Sequence, residues 1–197
     1  MTARFLLPVL TIALALPVAS AAQFSEGFNF LKAVRERDGT KVTSALSKPG
    51  SVIINTRDGS TGETSLHIVT AGRDALWLGF LLQRGASADA KNAKGETALM
   101  LATQLGWGEG IETLLARRAG VDVASGSGET PLIRAVQNRD IASVRLLLAG
   151  GANPNRPDNA AGLSARQYAA RDPRAAAILK AIAEAKPVVR REVAGPR

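Results

Sequence analysis

Apolar and polar positions in the middle of this chain fall into blocks that return every 33 residues, as Gly62, Gly95 and Gly128 show. Each block opens on Gly-Glu-Thr, at 62–64, 95–97 and 128–130. A short apolar stripe follows, then a break. A second stripe ends in a leucine pair, Leu81-Leu82, Leu114-Leu115 or Leu147-Leu148. The small residues Ala86, Ala119 and Ala152 keep the same interval, as does the series Asp89, Asp122, Asn155. In the block from Asn92 to Ala124, Ala93-Lys94-Gly95 reads as a turn and Thr97 as a helix N-cap. Leu99, Leu101 and Ala102 give the buried stripe of a first helix, and Leu105-Gly106 the turn after it. Ile111, Leu114 and Leu115, spaced by three and four, give a second helix that ends at Ala119-Gly120. Neither helix can bury its stripe inside one block, so the blocks must stack. The expected fold is an all-α repeat solenoid of helix-turn-helix units joined by β-turn or hairpin loops.

The full blocks are expected at 59–91, 92–124 and 125–157. A degenerate unit precedes them at 28–58, carried by Phe30, Ala33, Val34, Val42 and Leu46, with Arg35, Glu36, Arg37 and Lys41 turned to water. Another follows at 158–185, where Ser164 and Gln167 form a capping box and Ala176, Ile178, Leu179 and Ile182 form the last helix. Together these make a repeat domain over 23–185. Pro187 stops that helix, and 186–197 is expected to be a disordered basic tail.

The first 22 residues read differently. Arg4 is followed by Phe5 to Val18, nearly all apolar, and then by Ala19-Ser20-Ala21-Ala22. This is the pattern of a secretory signal peptide over 1–22, cleaved after Ala21 or Ala22, with Gln23 the preferred first mature residue. The apolar run is about 14 residues long, against the roughly 20 that a bilayer span needs.

The phrases within the blocks resemble the ankyrin-repeat family, of a secreted bacterial type. The family's Thr-Pro-Leu-His appears as Thr64-Ser65-Leu66-His67, Thr97-Ala98-Leu99-Met100 and Thr130-Pro131-Leu132-Ile133. Its Leu-Leu-x-x-Gly-Ala-Asp-x-Asn ending is closest at Leu147-Leu148-Ala149-Gly150-Gly151-Ala152-Asn153-Pro154-Asn155. The resemblance implies an interaction module whose partners contact the turn tips and the exposed side of the first helices, on a concave face. Carried over by position, the contact residues are Lys91 and Lys94 at the tips, with Glu63, Glu96, Gln104, Leu105, Glu129, Gln137 and Asn138 along the first helices. Leu105 stands out as an exposed apolar anchor. Arg73, Arg139 and Arg171 would add a basic flank.

Composition narrows the chemistry. There is no cysteine, which excludes disulfides, thiol nucleophiles and thiolate metal sites. His67 is the only histidine, and in its motif the ring is expected to bond the neighbouring turn backbone rather than act as a ligand. No metal site or cofactor is expected, and no phosphate loop: the glycines of Gly106-Trp107-Gly108-Glu109-Gly110 follow no strand and lack a lysine. Glu63, Glu96 and Glu129 form a row roughly 10 Å apart, too far for a paired general acid and base. The row is either an acidic stripe for recognition or a set of favourable charges at helix N-termini, and the two are compatible. Trp107-Gly108-Glu109-Gly110 opens the second helix of the middle block, and two glycines cost about 1 kcal/mol each there. That helix either starts late or is loosely held. Trp77 is expected to pack between repeats.

Lys and Arg number 25 against 17 Asp and Glu, a net charge of +8. Much of the excess lies near the end, at Lys180, Lys186, Arg190, Arg191 and Arg197. An exported, cysteine-free, Ala- and Arg-rich chain points to a bacterial periplasm, or to secretion beyond it. Export argues against nucleic acid. The expected function is non-catalytic binding of a protein partner as chaperone, inhibitor, immunity protein or scaffold. The alternative is a peripheral envelope protein that uses its basic tail and surface on anionic lipid or polymer.

Overall fold

The computed structural model describes residues 19–48 and 51–185, with side chains from Glu26 onward. Most of the expected signal segment, and the whole expected tail, lie outside the described residues. The helices are α1 (Ala19–Glu36), α2 (Gly39–Leu46), α3 (Ser65–Ala71), α4 (Ala75–Gln83), α5 (Ala98–Gln104), α6 (Gly108–Ala116), α7 (Pro131–Gln137), α8 (Ile141–Ala149), α9 (Ala165–Arg171) and α10 (Ala176–Glu184). Short 3-10 turns stand at Ile53–Asn55 and Pro173–Ala175. α1 runs without a break through Ala22.

The odd-numbered helices stack on one another in chain order, α1 on α3 on α5 on α7 on α9. The even-numbered helices α4, α6, α8 and α10 form a parallel second layer. This is the all-helical repeat solenoid expected from the period. α2 departs from the pattern: it packs chiefly on α1 and on the 3-10 turn at Ile53–Asn55. The core lies between the layers. Leu66, Leu99 and Leu132 fill it from the first helices and Leu81, Leu114 and Leu147 from the second, all buried. Each such leucine contributes about 1.5–3 kcal/mol by leaving water. Ala102 and Ala135 are also fully buried, at positions where first helices approach one another.

Caps set the helix starts. Thr97 and Thr130 accept the amides of Met100 and Ile133 at 3.3 and 3.2 Å. Ser164 accepts the Gln167 amide while Gln167 Oε1 accepts the Ser164 amide at 2.9 Å, the reciprocal box expected there. Aspartates do the same work on the second helices: Asp38, Asp74 and Asp140 accept the amides of Lys41, Trp77 and Ser143. The middle repeat has Trp107 instead. α6 nevertheless has the same nine residues as α4 and α8, so it neither starts late nor shortens. A Cβ on Gly110 would lie 2.1 Å from Trp107 Cε3, so the glycine is what lets the indole lie against the helix. Trp77 is half-buried on the core, edge-to-face with Phe80 at 5.7 Å.

Candidate interaction surface

The turn tips are tied to each other before any partner is considered. Each Gly-Glu-Thr tip is closed by two backbone bonds, in the middle repeat Asn92 N–H to Glu96 O and Gly95 N–H to Asn92 O, both at 2.9 Å. Successive tips are then joined: Ala93 donates to Thr61 O, Gly126 to Lys94 O and Asn159 to Ser127 O, at 2.9, 3.2 and 3.0 Å. That close approach explains the repeated glycine of Gly-Glu-Thr. Gly95 has φ +75° and a Cβ there would sit 2.5 Å from Gly126 N, so a side chain is excluded by backbone conformation and by space together.

Side-chain clasps add to this ladder. Asn55, Asp89 and Asp122 each accept a backbone amide of the next repeat, from Ser87, Gly120 and Asn153, at 2.8, 2.7 and 3.0 Å. Asp89 and Asp122 of the repeating series are therefore register devices, while Asn155 accepts from the Arg166 side chain instead. His67 is buried and spans two tips. Its Nε2 lies 2.9 Å from Glu96 O, which can only accept, so Nε2 carries the proton and Nδ1 accepts from the Thr64 amide at 3.2 Å. Burial lowers its pKa below the usual imidazole range. The ring bonds the neighbouring turn backbone, as its motif implied.

Two of the three glutamates in the expected row converge on one cation. Arg134 makes a bidentate pair with Glu129, at 2.7 and 2.6 Å, and its Nη2 stands 3.6 Å from Glu96. Its Nη1 donates to Gln104 Oε1 at 2.8 Å. The Glu129 carboxylate raises the Arg134 pKa further above its already high value. Asn92 Nδ2 donates to the other Glu96 oxygen at 3.2 Å. Glu63 has no ion pair among the described residues; its amide donates to Thr61 Oγ1.

The remaining expected contact residues divide by environment. Lys94, Gln104, Gln137 and Asn138 are exposed. Lys91 is half-buried and its Nζ donates to Ala124 O at 2.7 Å, which ties it to the next tip. Leu105 corrects the expectation of an exposed anchor. It is half-buried against the core, and its carbonyl accepts from Arg73 Nη2 at 2.6 Å. The aligned residues, Gly72 and Asn138, are exposed, but a leucine at this helix end folds back onto apolar neighbours. The expected basic flank is likewise mostly engaged: Arg73 serves Leu105 O, and Arg139 pairs with Asp172 at 2.6 Å. Arg171, at the end of α9, is exposed.

Sequence reasoning missed Arg134, and it placed the equivalent Leu101 in the buried stripe, where the structure leaves it half-buried. Counting back by 33 gives Leu101 and Ile68, both half-buried. Aligning the blocks column by column would have exposed this position, because a single arginine stands there among aliphatic residues. Arg57, which donates to Lys91 O at 2.7 Å, was missed as well.

Among the described residues there is no group of three or more side chains able to hold a metal ion, and no helix is long and apolar enough to cross a membrane. No curated protein matches the chain. Residues 66–158 match the family model for ankyrin repeats, in three copies. With helix pairs stacked in two layers and tips tied edge to edge, the described residues form an all-helical repeat solenoid whose segment 66–158 is similar to ankyrin repeats, a fold that generally serves as a non-catalytic scaffold for binding other proteins.

Proposed function

We propose that this chain is a protein-interaction module of the cell envelope that holds one protein partner on its first-helix face, as chaperone, inhibitor or scaffold. The supporting observation is pre-organisation. The tips are joined by backbone bonds, and Arg134, Glu129, Glu96 and Gln104 hold one another in place. A surface already ordered loses little side-chain freedom on association, which favours specific binding. The envelope location rests on the signal pattern of residues 1–22. The basic excess of +8 supports the second reading, contact with an anionic envelope surface through the tail.

Immobilised full-length chain, challenged with envelope extract at about 0.3 M salt, separates the two. The comparison is a Lys94→Glu, Gln137→Arg, Asn138→Arg variant whose circular dichroism is unchanged. The module predicts one protein retained stoichiometrically by the native chain and lost by the variant. Material retained equally by both and released by salt, or by deletion of 186–197, supports the surface reading and rejects the module.

A further inference from the structure

We infer that the face over α3 and α5 is built to receive an arginine side chain of the partner, seated between Glu63 and Glu96 above Leu101. The inference rests on the interaction reading above and names the chemistry of the contact. Its basis is the repeat itself. One repeat further on, Arg134 fills the corresponding place. Glu129 of its own repeat grips the guanidinium with both oxygens, Glu96 of the preceding repeat lies 3.6 Å away, and Gln104 accepts a further hydrogen bond. Moving that arrangement back by 33 residues replaces Glu129 with Glu96, Glu96 with Glu63, Gln104 with Ala71 and Arg134 with Leu101. Both carboxylates are kept and the cation is not.

The floor of this place is apolar. Leu101 is half-buried where the stem of an arginine would run, with Ile68 one repeat back and Leu105 one turn along, both also half-buried. Such a floor suits the methylene stem of an incoming side chain while its head meets the carboxylates. Glu63 has no ion pair among the described residues. Glu96 Oε1 stands 3.6 Å from Arg134 and Oε2 accepts one bond, from Asn92 Nδ2, so the carboxylate keeps lone pairs for a further donor. A guanidinium, with its planar fork of donors, fits two carboxylates better than an ammonium does. A partner presenting a carboxylate here would meet two like charges. The occupant is thus an arginine flanked by apolar residues.

The test is titration of isotope-labelled full-length chain with acetyl-Leu-Arg-Leu-amide, and with the same peptide carrying neutral citrulline. The expected result is saturable amide shifts at Glu63, Glu96 and Leu101, with the citrulline peptide at least about tenfold weaker. Leu101→Arg supplies the guanidinium from within and is expected to abolish the response. Glu63→Gln, which keeps the side-chain shape, is expected to weaken it and carries the test if Leu101→Arg does not fold. Equal response to citrulline, shifts centred elsewhere, indifference to Glu63→Gln, or no response up to about 10 mM peptide overturns the inference. The capture experiment above alters Lys94, Gln137 and Asn138 and leaves Glu63, Glu96 and Leu101 intact. A captured partner indifferent to Leu101→Arg therefore removes the arginine seat and leaves the module standing. A working seat with no captured partner does the reverse.

Discussion

At the scale of single residues, the buried imidazole of His67 makes stability depend on pH in a definite direction. Its folded pKa lies below the reference 6.5 because burial disfavours the cation. The unfolded chain therefore binds the proton first as pH falls. Stability is intact above about 6.5 and declines as pH drops toward the lower folded value. Urea midpoints between pH 7.5 and 5 should fall for the native chain and stay nearly level for His67→Gln. Asp58 and Asp172 act in a lower window. Hydrogen bonds from Ser60 and the Arg35 guanidinium hold Asp58 well below the carboxylate range, and Arg139 holds Asp172 at about 2. Their contributions are present above the reference 3.8 and are lost on further acidification. The role of His67 was readable in sequence because the motif places the ring within one turn of its own cap. The half-burial of Leu105 was not, because it depends on neighbours that local spacing does not specify.

At the scale of elements, two glycines in matching outer helices should respond oppositely to the same change. A Cβ on Gly79 of α4 meets nothing within 4 Å, so Gly79→Ala should stabilise by about 1 kcal/mol through helix propensity alone. A Cβ on Gly110 of α6 would overlap the Trp107 ring, so Gly110→Ala should destabilise by about 1–3 kcal/mol as the indole is displaced. Thermal midpoints of the two variants give the comparison directly. A third position sits just past α6. Arg118 has φ +63°, where the neighbouring repeats have Gly85 and Gly151 at +88° and +87°. Arg118→Gly should raise stability by about 1 kcal/mol, read from a urea midpoint, since the left-handed conformation costs that much for a residue with a Cβ. The helices themselves were readable because threonine caps and leucine spacing are local signals. The seating of Trp107 on Gly110 was not read, because the glycines registered only as propensity losses.

At the scale of the whole molecule, stability is divided among interfaces between neighbours. Asp122→Ala removes the acceptor of the Asn153 amide and should cost about 1–2 kcal/mol. The loss should be felt unevenly: amide exchange in α7 to α10 should quicken more than in α3 and α4. Equal acceleration throughout would mean that the array unfolds as one unit. The stacking order was readable from the 33-residue period, since repeats that cannot bury their own stripes must bury each other's. The Arg134 clamp was not, because Glu96 lies a full repeat away in sequence and the two meet only once the helices are stacked.

The clasps of Asn55, Asp89 and Asp122 each join atoms 31 or 32 residues apart. Considered as a material, the array is a coil whose turns are fastened only to the turns beside them. A load applied at its ends passes through every fastening in series and the fastenings yield one at a time, so extension over the full repeats should proceed in equal steps. Each step releases a 33-residue turn, roughly 110 Å of straightened chain. The same spacing that writes a phrase three times along the sequence would thus appear as a ruler under tension.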